Sequence, residues 1–285
     1  MGKESVKCEW ISLREALRVF ALCEAGYQGA GHIKPLHWYV ACRLVIEGGF
    51  SPEEITPRPP FRVRLQAGRR TLEHDPALGG AGERTLLGGL KTKTVDVVVS
   101  KDGLGPVIAI SLKGTLNAFR NLTNRMEEAV GDCTNLHIAY PALVYGFLHV
   151  MRANKEKPGV SANDVAIRRD GQVEMSIRRY HDVIARLAGR ADVRADATKY
   201  EAVALALVDP NPPSVGKLVA AFPPDDSPLR LGDFFEKVYQ QYDQRFVYAA
   251  PALESATRRL EWHASSPVLG DPRVTDYSPR VVDSE

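Results

Sequence analysis

With 285 residues, 44% of them hydrophobic and 25% charged, the chain reads as globular, one large domain or two small ones with a sizeable core. No run approaches the roughly eighteen apolar residues of a membrane span, and the start, MGKESVKCEW, lacks a signal-peptide core, so a cytoplasmic protein with no membrane partner is expected. Cys8, Cys23, Cys42 and Cys133 show no metal-ligand spacing and no Walker or Rossmann glycine pattern occurs; the formal net charge of +2 leaves room for a local basic cleft.

Ser12-Leu13-Arg14-Glu15 has the capping-box form, and Leu17, Phe20 and Ala21 continue a helical stripe, which predicts a helix over 12–25 that GYQGAGH breaks. A second helix is predicted from Pro35 through LHWYVACRLVIE to Gly48-Gly49, and Ser51-Pro52-Glu53-Glu54 starts a short third. Glu47, at the end of the second, reads as a solvated helix-end acid. From Arg58 to Arg70 there are five arginines and no acid, and FRVRLQ alternates like a strand with Arg62 and Arg64 on one side. Phosphate contact and a solvated basic edge strand both fit that pattern. Residues 75–91 are glycine-rich and read as a flexible loop, either a cover or an insertion.

The most informative stretch runs from Lys91 to Asp132. TVDVVVS and PVIAISLK are β-branched runs separated by KDGLG, which predicts a hairpin. Asp96 sits among valines, where an unpaired carboxylate is costly, so a cation is expected beside it. Ser111 and Lys113 share one face of the second strand, and Ile110 and Leu112 the other. In the helix that follows, LNAFRNLTNRMEEAVG, the residues Leu122, Met126, Ala129 and Val130 form the buried stripe with Gly131 as its C-cap. Glu127 and Glu128 both flank that stripe. They point about 100° apart, so only one of them can face the strand pair.

Beyond it, the apolar segment after Pro141 fits a buried strand, or a helix. A surface loop, NKEKPGVSAND, leads to a helical stripe of Val173, Ile177, Tyr180, Ile184 and Leu187, with His181 beside it in a structural role. EAVALALV reads as a central strand, GDFFEKVYQQYDQRF as a last amphipathic helix packing on the core or on a second subunit, and the tail from Ser265 as polar and loosely ordered.

Asp96, then Ser111-Leu112-Lys113, then Glu127 fourteen residues past the lysine, is an order that resembles the PD-(D/E)xK nuclease superfamily. Within it the chain looks most like the CCGG-recognising type II restriction endonucleases, whose second acid has moved from the strand to the following helix and whose vacated position Ser111 would hold. The spacing selects Glu127 over Glu128. Val95 stands where the motif often carries proline, and Asn117-Ala118-Phe119-Arg120 where that branch carries Arg-x-Asp-Arg. The resemblance implies an α/β (α+β) fold with a restriction-endonuclease-like core, a central mixed sheet flanked by helices. It implies a single endonuclease domain, with an N-terminal helical part over about 1–57, a catalytic core over about 58–210 and a C-terminal helix and tail over 211–285.

Phosphodiester hydrolysis by in-line attack of water calls for a divalent cation to neutralise charge and acidify the water. The resemblance makes Asp96, Glu127 and the Leu112 carbonyl ligands of Mg²⁺, with Lys113 acting on the attacking water and Ser111 packing beside it. Asn117, Arg120, Asn121, Asn124 and Arg125, at the helix start, together with Arg62 and Arg64, are the candidate contacts to double-stranded DNA. A homodimer or homotetramer is expected, matching a palindromic duplex. A nuclease of phage defence or repair with little sequence preference, or a non-catalytic nucleic-acid-binding relative, are the alternatives.

Overall fold

A computed structural model of the protein describes residues 6–24, 30–117 and 119–282, the side chains of Ala30 and Arg120 excepted. Its centre is a five-stranded mixed sheet of β1 (Ile55–Thr56), β6 (Val97–Lys101), β7 (Gly105–Thr115), β8 (Val144–Arg152) and β9 (Ala202–Val208), in that spatial order. The first two junctions are antiparallel and the last two parallel. The hairpin predicted around KDGLG is β6–β7, with Val97 opposite Ile110 and Val98 opposite Ala109.

The period-two alternation of β7 divides the interior. Ile108, Ile110 and Leu112 enter a core built with α1 (Leu13–Leu22), α2 (Lys34–Ile46) and α5 (Leu231–Tyr242), while Ala109 enters a second core under α3 (Leu122–Ala139) and α4 (Met175–Ala185). Each large aliphatic side chain buried in these layers contributes about 1.5–3 kcal/mol. At Gly146 of β8 an added Cβ would lie 2.7 Å from the Phe234 ring of α5, so the absence of a side chain is what lets that helix sit close to the sheet. Ser12 caps α1 through its hydroxyl, which accepts the Glu15 N–H at 3.1 Å, and α2 begins within one residue of Pro35. The break expected at 26–32 falls largely outside the described residues.

Five expectations are corrected. FRVRLQ is no edge strand of the central sheet: as β2 (Phe61–Gln66) it pairs, among the described residues, only with β3 (Arg69–His74), a hairpin that packs on the C-terminal segment. The glycine-rich 75–91 region contains β4 (Arg84–Leu87), which pairs with β5 (Thr92–Val95) just before Asp96. Gly131 does not cap its helix; α3 runs on to Ala139, because burying Cys133 and Leu136 outweighs the cost of about 1 kcal/mol of an interior glycine. EAVALALV lies at the sheet edge, and it is wholly buried because residues 218–229 cover that edge, with Val219 N–H on Leu207 O at 2.9 Å and Leu205 N–H on Leu229 O at 3.0 Å. The tail from Ser265 is not loose: Val268 and Tyr277 are buried in the α1–α2–α5 core, as is Trp262 just before it, and β11 (Val281–Val282) pairs with β10 (Trp262–His263).

That C-terminal segment finishes α2. The last carbonyls of a helix have no partner within it. Here Trp262 Nε1 donates to Val45 O and Ile46 O at 3.1 Å each, and Arg280 N–H donates to Ile46 O at 3.0 Å. Glu47, expected to be solvated, is buried, ion-paired with Arg43 at 2.7 Å, and accepts the Ser278 N–H at 2.8 Å. It is a structural acid, joining α2 to the C-terminal segment.

Candidate functional site

The β6–β7 ladder ends at the Val97–Ile110 pair, and Asp96 turns out of it. Its carboxylate takes the place the next strand residue would have filled: Oδ2 accepts the Leu112 N–H at 2.7 Å. In a strand the N–H and C=O of one residue point to the same side, so the Leu112 carbonyl is turned toward the same gap. On its other side Asp96 Oδ1 lies 3.7 Å from Nε2 of His37, which α2 holds 4% exposed; that nitrogen has no hydrogen-bond partner. Glu83, exposed and just ahead of β4, completes a cluster in which one ligating atom each of His37, Glu83 and Asp96 lies within 4.8 Å of the others.

Burial holds the Asp96 carboxyl above its ordinary range, against the opposing pull of the Leu112 N–H, Lys113 and Lys93. Burial likewise lowers the His37 imidazole to about 4, with Lys34, Lys113 and His32 adding to the effect and Glu83 opposing it. At neutral pH the ring is therefore uncharged, and an uncharged ring has a lone pair to offer.

Lys113 emerges from the opposite face of β7 to Leu112, and its Nζ donates to Glu128 Oε1 at 3.0 Å. Arg125 Nη1 donates to the other oxygen, Oε2, at 2.8 Å. Burial pushes the Glu128 carboxyl up, but Lys113 and Arg125 outweigh it and hold it below its ordinary value. Glu127, the acid chosen by spacing, is exposed and faces away, so the glutamate of α3 that meets the lysine is one residue further on. Neither belongs to the His37–Glu83–Asp96 cluster.

Ser111 is 2% exposed and shares a 2.8 Å hydrogen bond with Tyr145 Oη, a link between β7 and β8 inside the second core. Beside it, a buried ion pair of Lys93 with Asp132 joins β5 to α3. Asn121, Asn124 and Arg125 are exposed along the start of α3; Asn117 is half-buried and lines a cavity of about 350 Å³ with Arg152 and Asn154; the side chain of Arg120 lies outside the described residues. Arg62 and Arg64 are each paired with an acid of the hairpin's second arm, Asp75 at 2.5 Å and Glu73 at 2.7 Å, so these two members of the arginine run are neutralised locally.

Sequence reasoning missed His37, Glu83, Lys93 and Asp132. A signal existed for the first: an imidazole inside KPLHWYVACRLVI, a helix with ten of its thirteen residues buried, has to meet something polar. For Glu83 there was none, since it lies among glycines and its role depends on where the β4–β5 hairpin folds. As a donor set, Asp96, Glu83 and the Leu112 carbonyl provide the oxygens a divalent cation wants, with one nitrogen added by His37. No protein-family profile matches this chain and no curated protein matches it, so the assignment of a function rests on these residues and their geometry.

Proposed function

We propose that this protein is a divalent-metal-dependent endonuclease of double-stranded DNA, of the type II restriction class that the Asp96, Ser111-Leu112-Lys113 and helix-glutamate order resembles. One observation carries the reading: a carboxylate, a strand peptide and a lysine converge where a hairpin ends in a mixed sheet, and the next helix presents a glutamate to that lysine.

Asp96, with Glu83 and the Leu112 carbonyl, would hold Mg²⁺ or a related ion, which when bound neutralises phosphate charge and acidifies water. The chain's own contribution is positional. Lys113 Nζ orients the attacking water and then faces the extra negative charge of the pentavalent phosphorane; hydrolysis leaves a 5′-phosphate and a 3′-hydroxyl. Glu128 keeps that ammonium aimed, and Arg125 keeps Glu128 aimed. Asn121, Asn124 and Arg125 form the exposed polar edge best suited to the duplex, asparagine matching adenine and arginine matching guanine or phosphate. Arg62 and Arg64, already paired, contribute less. A homodimer or homotetramer would let two sites cut the two strands, and four free cysteines suit a reducing cytoplasm.

Incubation with plasmid DNA and Mg²⁺ or Mn²⁺ tests the reading. Discrete fragments are expected. A smear would replace it with a nuclease of little sequence preference, and a gel shift without cutting would replace it with a binding protein.

A further inference from the structure

We infer that His37, Glu83 and Asp96 form a site for a first-row transition dication, which it binds in preference to Mg²⁺. The inference deepens the nuclease reading, because Asp96 is common to both, but binding of the ion can be tested without any DNA.

Three observations converge on it. The ligating atoms come from three separate parts of the fold, α2, the segment before β4 and the bend between β5 and β6, and still lie within 4.8 Å of one another. His37 Nε2 is buried without a hydrogen-bond partner, and its nearest acid oxygen, Asp96 Oδ1, is at 3.7 Å, too far for a hydrogen bond. Buried polar atoms left unpaired are rare, and one directed at two carboxylates has the geometry of a ligand. Bonds of about 2.1 Å put ligand atoms roughly 3.0–3.6 Å apart at angles of about 90–120° and no more than about 4.2 Å apart when opposite, so the His37–Asp96 separation of 3.7 Å lies within reach of one ion. The remaining closure is small and falls to Glu83, whose exposed side chain is free to move inward.

The donor chemistry decides the ion. Mg²⁺ takes oxygen and keeps much of its water, whereas an imidazole nitrogen suits the first-row transition dications, of which manganese is the most oxygen-loving. Two carboxylates and one imidazole leave the open positions that water and a phosphate oxygen require. The ring is fixed by its helix: Leu36, Tyr39, Val40 and Ala41 around it are buried, so it cannot swing away to solvent.

The test uses the full chain freed of metal with a chelator. Calorimetric titration with Mn²⁺ and with Mg²⁺ is expected to give at least about tenfold tighter Mn²⁺ binding. Pulsed electron paramagnetic resonance of the Mn²⁺-loaded protein should show coupling to an imidazole nitrogen, absent in His37→Gln. Glu83→Gln, at an exposed position that carries no fold, should weaken Mn²⁺ binding by about tenfold or more. Wild type without nitrogen coupling, equal affinity for the two ions, or a Glu83→Gln protein that binds Mn²⁺ as wild type does would each overturn the inference. Plasmid cleavage separates the two readings: cutting without nitrogen coupling removes this site and keeps the nuclease, while nitrogen coupling in a protein that cuts no DNA keeps the site and removes the nuclease.

Discussion

Lys113 would sweep a wide arc if nothing held its ammonium, and in the role proposed for it a cation that wanders would be a poor one. Glu128 provides the restraint, at 3.0 Å, and Arg125 in turn restrains Glu128 at 2.8 Å. Glu128→Ala is therefore expected to lower cleavage by about a hundredfold or more, in the range of a misplaced proton-transfer group. Glu127→Ala removes only an exposed side chain and should leave activity within about twofold of wild type. Single-turnover rates on plasmid DNA check both, and equal loss from the two variants would contradict the geometry. The one-residue difference from the spacing argument has a plain cause. Both glutamates flank the Met126–Ala129–Val130 stripe, so periodicity is blind to the choice, and only the position of α3 against β7 makes it.

At the scale of elements, α3 and β9 are locked to the sheet by Glu201, which is 3% exposed. It meets Arg190 at 2.8 Å, Arg245 at 2.7 Å and His137 of α3 at 3.3 Å, and accepts the Tyr145 N–H of β8 at 2.7 Å. Burial pushes its carboxyl up, but His137, Arg245 and that N–H prevail, leaving the folded-state pKa below the ordinary value. The charged form therefore stabilises the fold at pH above the ordinary carboxyl value, and the contribution is lost as pH falls through the depressed one. Glu201→Gln should cost about 3–5 kcal/mol at neutral pH, as broken buried pairs do, and the gap between variant and wild type should narrow on acidification in urea melts. Gly131→Ala should act in the other direction, adding about 0.5–1 kcal/mol, because the glycine is in mid-helix with open space where a Cβ would go. The elements themselves were largely legible. The β6–β7 hairpin, α1, α2, α4 and α5 follow from local periodicity and caps, and so does Lys113 on β7, whereas TVDVVVS, read as one strand, is broken at Asp96 into β5 and β6. What periodicity could not provide was anything set by distant chain: β2 pairing away from the sheet, β9 at its edge, and His37 and Glu83 arriving at Asp96 from elements on either side.

For the molecule as a whole, the tail was the least legible part, since Trp262, Val268 and Tyr277 are isolated apolar residues in a polar context and show no period. Their burial makes them anchors. Trp262→Ala should cost about 3–5 kcal/mol in urea denaturation, the usual loss for a buried aromatic, with the indole's hydrogen bonds to the Val45 and Ile46 carbonyls lost as well. A midpoint unchanged from wild type would mean that the segment only rests on the surface. Leu260 N–H also donates to Gly49 O at 2.7 Å, Tyr277 Oη to Ile11 O at 2.7 Å, and Asp276 Oδ2 accepts the Leu13 N–H at 3.0 Å. These links tie the first fifty residues to ones made more than two hundred positions later. Translation runs at roughly 5–20 residues per second, so for ten seconds or longer a nascent chain holds α2 with its end open and its apolar sides uncovered. A nuclease of the kind proposed would thus gain the full support of α2, the helix that carries His37, only once the C-terminal segment has been made.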